Sequence, residues 1–385
     1  MAIYFGLLFV IWLYGVFGNV NASKKKKRHY LFFSFGLMIL VMCLRKYTVG
    51  RDLNGHYAES FLDISSLKSF DKVVEYGNLK GYGAGYSIFN KLVSMINPNI
   101  QFFIIVTSFI SLAAIGLMIY LYSNNVGLST FLVIANCTYY IYFSIIRQAM
   151  AVSFVIIGYI LFNSIKKKPI SYIALIGCIL LASTFHSSAI LCLMMLLFLN
   201  LKFRRKEILL IIIIAAALFI LYDNFYSFLI KNVVTDAHYY IYSGTSADSF
   251  GVISFESFLY FLLASLPFVF GYYFIVWKRK KRNNLKDKRV YNIEKFESFL
   301  LFVAAACMIC RLLVFRMNIF GRFAHYFVPY TYLLYPYILD SVKIKNNYLF
   351  FKWSIYIVFM LYFLWMTLAN AQLYYGVIPY EFYWE

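Results

Sequence analysis

The chain has 385 residues, of which 63% are hydrophobic, 21% aromatic and only 14% charged, and its mean hydropathy is +0.72. That make-up excludes a soluble domain, because too little polar surface remains to cover its core; hydrocarbon must replace water around most of the chain. The formal net charge of +20 falls in short clusters between apolar runs, which is the pattern of cytoplasmic loops in membrane proteins and not that of a nucleic-acid-binding face.

In chain order, the apolar run 2–20 has no basic stretch before it, and the cluster Lys24–Arg28 follows it. This order predicts an uncleaved first helix with its N-terminus outside. Further runs of spanning length are 30–47, 100–122, 257–277, 296–315 and 348–369, with 208–222 somewhat shorter. The stretches 127–165, 170–201 and 296–342 are long enough to be helical hairpins. The clusters Lys24–Arg28, Lys166–Lys168, Lys202–Lys206, Lys278–Arg289 and Lys343–Lys345 share one side only if the chain crosses about twelve times. The expectation is an all-α polytopic protein, a single membrane domain over 1–385 with both termini outside. Its weakest turn is Ser123–Val126, an inner turn without positive charge.

Two outer segments are long, 48–98 and 223–256. The first carries Asp52, Glu59, Asp63, Asp71 and Glu75 and the turn-rich GNLKGYGAGY at 77–86. Its end, Tyr86–Ile96, places Ile88, Leu92, Val93 and Ile96 on one face, predicting an amphipathic helix at the outer surface. Residues 278–295 read as a solvated, basic cytoplasmic loop. The six cysteines all lie in apolar runs, so the C-x-x-C pair Cys307 and Cys310 reads as small buried side chains and not as a redox or zinc site.

Against this background some polar residues stand out. Arg147 and Gln148, in FSIIRQAMA, lie near the midpoint of 127–165, whose end is held inside by Lys166–Lys168. That places them at the outer edge, where two helices meet. The same reasoning places His186 (TFHSSA) and the group Arg316, Arg322 and His325 (RMNIFGRFAHYF) at that level. Arg45, Arg51 and Asp52 lie at the outer end of the second run, and His238 (TDAHYYIY) in the second outer loop. With Arg311, these arginines collect where positive-inside bias should remove them. Arginine contacts phosphate oxygens in a planar, bidentate way and stays charged, so the ring predicts an anionic, phosphate-bearing ligand at the outer leaflet.

Alternatives stand beside each reading. A boundary arginine also reaches lipid headgroups, Arg311 could pair with a neighbouring helix, and His186 could be a hydrogen-bonded packing residue. Asp52 could be a base or the ion-pair partner of Arg45 or Arg51. The aromatic runs Tyr139–Tyr142, Tyr239–Tyr242 and Tyr374–Trp384 suit a membrane interface or, alternatively, sugar faces.

Four stretches resemble the EpsG-type, Wzy-like bacterial polysaccharide polymerases of O-antigen, capsule and exopolysaccharide synthesis. They are Arg45-x4-Gly50-x-Asp52-x4-Tyr57, YFSIIRQAMA at 142–151, FHSSA at 185–189 and GRFAHY at 321–326, in that order along the chain. Arg51 stands where that family commonly has threonine. The resemblance implies a glycosyl-transfer enzyme of the bacterial plasma membrane, with a GT-C-like arrangement around an outer-face cavity. Its donor and acceptor would be oligosaccharide units on undecaprenyl pyrophosphate. It also implies a chain-length regulator protein as a partner. On this reading Asp52 and His186 are the catalytic candidates. Arg45, Arg51, Tyr57, Arg147, Gln148, His238, Arg316, Arg322, His325 and Tyr326 would bind substrate or pyrophosphate. Arginines aimed at the pyrophosphate could replace a metal, so no cofactor is expected. The rival is a flippase or other transporter of lipid-linked oligosaccharide, but transporters place charges and broken helices near mid-membrane, where Pro267 is the one early candidate breaker.

Overall fold

In the computed structural model the chain is described over residues 1–221, 254–276, 288–342 and 345–385, together with Asn224 and Phe228. Most of the described residues are helical. In chain order the helices are α1 (Ala2–Phe17), α2 (Lys24–Cys43), α3 (Ala58–Ser66), α4 (Phe70–Leu79), α5 (Ala84–Ile96), α6 (Ile100–Tyr122), α7 (Val126–Ala135), α8 (Thr138–Ser144), α9 (Ile146–Ser164), α10 (Lys168–Phe185), α11 (Met195–Phe198), α12 (Glu207–Ile220), α13 (Phe255–Gly271), α14 (Lys288–Leu313), α15 (Phe320–Ala324), α16 (Val328–Asp340) and α17 (Lys345–Trp365). Several begin where the sequence supplies an N-cap: Ser23, Ser69, Asn99 and Asn125 each accept a main-chain N–H two or three residues on.

Among the described residues six helices are long and apolar enough to cross a membrane, and a seventh if α7 and α8, bent by 50°, count as one. Shorter apolar helices cover Ala2–Phe17, Ser187–Phe198 and Glu207–Ile220. The chain is a multi-pass membrane protein. Its contacts group it into two compact units, Met1–Ala189 with Trp353–Glu385, and Ile190–Lys352.

In the first unit α6 packs on α2 and α9, and α9 on α10. Helices α1 and α7 approach closely at Gly15 and Gly127, where a Cβ on Gly15 would stand 3.2 Å from the Gly127 Cα. Between α2 and α6 the chain builds a layer of short helices, a π-helical turn Leu53–Tyr57 followed by α3, α4 and α5. The expected helix is present as α5: Tyr86, Ser87, Asn90, Val93 and Ser94 are buried, while Leu92, Met95 and Ile96 are exposed. Small and polar side chains let α5 lie close to its neighbours and leave the larger apolar ones outside. Tyr139–Tyr142 also departs from expectation. The run is buried on α8, with Tyr139 donating to the Met38 carbonyl at 2.7 Å and Tyr140 hydrogen-bonded to Thr367 at 2.9 Å. It forms neither an interface belt nor a sugar platform.

The break at His186 falls where the sequence places it, but Ser187–Met194 then continues as a 3-10 helix. In the second unit α14 packs on α13, α15 and α16. The turn between α14 and α15 is anchored by a buried cluster of Leu313, Val314, Met317, Ile319, Phe320 and Phe323. Most of 223–256, expected from the sequence to be a second outer segment, with His238 and Tyr239–Tyr242, and residues 278–287 of the expected basic loop lie outside the described residues.

Candidate functional site

Helix α2 ends at Cys43 and the chain turns through 44–57. Arg45 is entirely buried. Its Nη1 donates to the carbonyls of Val49 (3.2 Å) and Phe143 (2.8 Å), and its guanidinium sits 4.5 Å over the Phe143 ring. The structure places Arg45 inside the unit and not at its surface, with Nη1 on main-chain carbonyls and Nε and Nη2 without a hydrogen-bond partner among the described residues. The C-terminal segment is laced to the same turn. Lys46 N–H donates to the Glu381 carbonyl, Tyr383 N–H to the Leu44 carbonyl and Gly50 N–H to the Gly376 carbonyl. Tyr4 and Tyr380 hydroxyls donate to the Val377 and Val41 carbonyls. The Glu381 carboxylate accepts from the Thr48 hydroxyl at 3.1 Å and lies 3.3 Å from the Lys46 ammonium. Gly50 (φ +116°) and Gly376 (φ +60°) make the contact possible, since both hold left-handed backbone that a side chain would strain.

Past Gly50 the next two residues face outward. The Arg51 side chain is exposed, while its N–H donates to the Ser144 hydroxyl at 3.0 Å, which in turn donates to the Tyr375 carbonyl at 2.7 Å. Asp52 is half-buried at the start of the π-helical turn and makes no ion pair or side-chain hydrogen bond among the described residues, so the alternative of pairing with Arg45 or Arg51 is not realised. Tyr57, at the end of that turn, is buried and meets the rings of Tyr82 and Tyr86 at 6.2 and 5.8 Å.

Arg147 stands in the first turn of α9, with Gln148 buried beside it. Its Nη1 donates to the Gly81 carbonyl at 3.0 Å, and its guanidinium lies 4.7 Å over Tyr82 and 5.9 Å from Tyr86, leaving 8% of the residue exposed. The GYGAGY loop thus covers Arg147. The same loop rests on the end of α10: a Cβ on Gly83 or Gly85 would strike Thr184, and the Tyr86 ring lies 6.4 Å from that of Phe185. His186 follows directly, with Nδ1 2.7 Å from the Ser188 hydroxyl. One end of the first unit therefore brings together Arg51, Asp52, Tyr57, Arg147, Gln148 and His186. Tyr82, Tyr86 and Gly81 were not among the sequence candidates; their signal was the glycine–tyrosine alternation of the loop.

Beside Arg51 the surface opens into a cleft of about 580 Å³ lined by Thr48, Arg51, Asn54, Ala369, Gln372 and Gly376. Asn54 and Gln372 are also additions to the sequence candidates. Their ranks as loop and interface residues gave no chemical pattern to find.

In the second unit the candidates form a cluster of their own. The Arg311 guanidinium lies 4.9 Å over Tyr260, and that of Arg316 5.3 Å over Phe219. His325 is within electrostatic reach of Arg311 and Arg322, and Tyr326 is buried. Among the described residues no three His, Cys, Asp or Glu side chains gather as a metal-holding set.

Chemically, the start of α9 joins two sources of positive potential, the N-terminal end of a helix dipole and the Arg147 guanidinium. Such an end favours an anion. The sequence model of the EpsG family matches residues 28–382. No curated protein and no solved structure matches the chain.

Proposed function

The chain belongs to the EpsG family, and on that premise we propose that it is a polysaccharide polymerase joining oligosaccharide units carried on undecaprenyl pyrophosphate at the outer face of the bacterial plasma membrane. The observation that carries the reading is Arg147 at the N-terminus of α9, at the end of the unit where Arg51, Asp52 and His186 also lie. Cleaving a sugar–pyrophosphate bond builds negative charge on the departing pyrophosphate and positive charge on the sugar ring. A guanidinium and a helix N-terminus fixed beside the leaving group stabilise that charge without a metal. The ligand takes the place that the Gly81 carbonyl and the tyrosine rings hold over Arg147, so the GYGAGY loop lifts as it enters. Asp52, half-buried and without an ion pair, is the candidate to accept the proton of the attacking hydroxyl, with His186 as the alternative base. Arg45 holds the turn that presents Arg51. Arg316 and Arg322 supply cations for anionic substrates in the second unit, with His325 and Tyr326 as uncharged neighbours. About twelve crossings, both termini outside, an outer-face cavity of the GT-C-like kind and a chain-length regulator as partner complete the reading.

Purified protein given a lipid-linked repeat unit in detergent, where no compartments exist, is expected to produce a ladder of longer glycans. Units that cross between liposome leaflets and never lengthen would make it a transporter. Arg147→Ala and Arg147→Lys are both expected to abolish polymer while the protein remains folded in the membrane, and a normal ladder from Arg147→Ala would remove Arg147 from the site. Labelling an Asn283→Cys variant from outside intact cells would overturn the proposed topology.

A further inference from the structure

We infer that the cleft beside Arg51 is a sugar-binding subsite, in which the carboxamides of Asn54 and Gln372 read the hydroxyl or acetamido groups of a glycan. The inference rests on the proposed polymerase reading for the glycan's role, but its evidence is the cleft itself. Its volume of about 580 Å³ lies within the roughly 300–1,000 Å³ of small-molecule sites. Its lining is what a sugar needs. A carboxamide offers both donors and an acceptor, as a sugar hydroxyl does, whereas phosphate would call for several cations and a lipid tail for large apolar side chains. The cleft has one cation, Arg51, two carboxamides and one hydroxyl, and its apolar members are only Ala369 and Gly376. The Asn54 and Gln372 side chains have no hydrogen-bond partner among the described residues, so both are available to a ligand.

The cleft is also built and held. Its two walls come from segments more than three hundred residues apart, joined by the Gly50 N–H to Gly376 carbonyl bond at 2.8 Å. A Cβ on Gly376 would stand 2.9 Å from the Arg51 nitrogen, so glycine there sets how close the walls come. Its level is right for a lipid-linked glycan. Ala369 is the last residue of the candidate span Asn346–Ala369, and Gln372 lies one helical turn beyond it. Because Arg51 is tied through its N–H to Ser144, three residues before Arg147, a glycan in the cleft would extend from a pyrophosphate held at α9.

The test uses full-length protein in nanodiscs and, as probe, the repeat-unit oligosaccharide freed from its lipid by mild acid. Binding is read by saturation-transfer NMR and chain growth by the ladder assay. Wild-type protein is expected to bind the free oligosaccharide. Asn54→Ala and Gln372→Ala should each weaken binding about three- to tenfold, the effect of one lost hydrogen bond. Ala369→Trp, which fills the cleft without removing a polar group, should abolish it. Folding of each variant is checked by its elution and thermal unfolding. No binding by wild type, or equal binding by wild type and all three folded variants, overturns the subsite. Oligosaccharide binding that depends on the cleft in a protein that never lengthens a chain would leave the subsite standing and overturn the polymerase reading.

Discussion

Arg45 and Arg51 are six residues apart on one turn, both just past the C-terminal end of α2, and they have opposite surroundings. Arg45 is wholly buried, with its guanidinium directed at two carbonyls and the face of Phe143. Arg51 is exposed at the edge of a polar cleft, and its main-chain N–H is tied to the Ser144 hydroxyl. Burying a charge is costly, and Arg45 offsets that cost only in part, since Nη1 meets two carbonyls while Nε and Nη2 have no hydrogen-bond partner among the described residues; it holds the turn from inside, whereas Arg51 presents its guanidinium at the surface. An unexpected charge near a membrane therefore carries two kinds of information, and only its partners separate them. Arg147 lies between the two cases. It is covered, but by a surface loop through one main-chain carbonyl and two tyrosine rings.

The largest effect expected is from removing Arg45. Arg45→Ala strips a donor from two buried carbonyls, at about 1–3 kcal/mol for each group left unsatisfied, and loosens the turn under Arg51. It should lower the yield of folded protein and its thermal midpoint in detergent. Arg51→Ala should leave the midpoint near wild type and affect chain growth. If Arg45→Ala unfolds like wild type, the contrast between the two arginines fails. Next in size is Gly50→Ala. Its Cβ would stand 2.3 Å from the Phe143 carbonyl oxygen at φ +116°, so strain of about 1–3 kcal/mol and a displaced backbone are expected. A thermal midpoint equal to wild type would show that the turn is not held against α8 as described.

The sequence makes part of this arrangement legible, and physical reasons mark where legibility stops. Apolar run lengths locate most helices, and the lysine clusters bring Arg147 to the start of one helix and His186 to the end of another. Both are local signals, set by where hydrocarbon-compatible sequence ends. The burial of Arg45 is not local, because it depends on Phe143 and on a C-terminal segment laced across the turn by Glu381 and Tyr383. The apolar face of α5 is divided in the structure, with Val93 inward and Leu92 and Ile96 outside, because neighbouring helices and not hydrophobicity alone decide which face is buried. Against close neighbours the small face of Ser87, Asn90 and Ser94 turns inward, and Leu92, Met95 and Ile96 remain outside. Tyr139–Tyr142 is buried for a related reason: the Tyr139 and Tyr140 hydroxyls find partners inside the unit, so those polar tips do not require water.

A smaller effect tests the cover on Arg147. Phenylglyoxal, which modifies guanidinium groups, should react with Arg51 before Arg147 in the wild type, as read by mass spectrometry. Tyr82→Ala removes the nearer ring over Arg147, a contact of about 0.5–2 kcal/mol, and should speed modification of Arg147 by about two- to thirtyfold. Unchanged reactivity would mean that the loop's hold comes from elsewhere, for instance from the packing of Gly83 and Gly85 on Thr184.

The smallest effect concerns Glu381, which joins the C-terminal segment to the turn of Arg45 and Arg51. The Thr48 hydroxyl, with the Lys46 ammonium behind it, holds this carboxyl below the usual glutamate range. A depressed carboxyl contributes its stabilisation above its unfolded value, roughly pH 4.3, and loses it as pH falls through the lower folded value. The wall of the cleft should therefore loosen only below about pH 4, and high salt should blunt the effect because the carboxylate is solvent-exposed. The main-chain bonds at Leu44, Lys46 and Gly50 persist through this change, so the response is local to the segment and leaves the unit folded. Arg51 modification by phenylglyoxal, compared with that of a free arginine at each pH, should rise on acidification in the wild type. In Glu381→Gln, which retains an acceptor for Thr48 but no titrating charge, the same ratio should be flat. A wild-type ratio flat from pH 6 to pH 3 would show that the laced main chain alone fixes the Arg51 turn, and would bring it closer in kind to the Arg45 corner than its exposure implies.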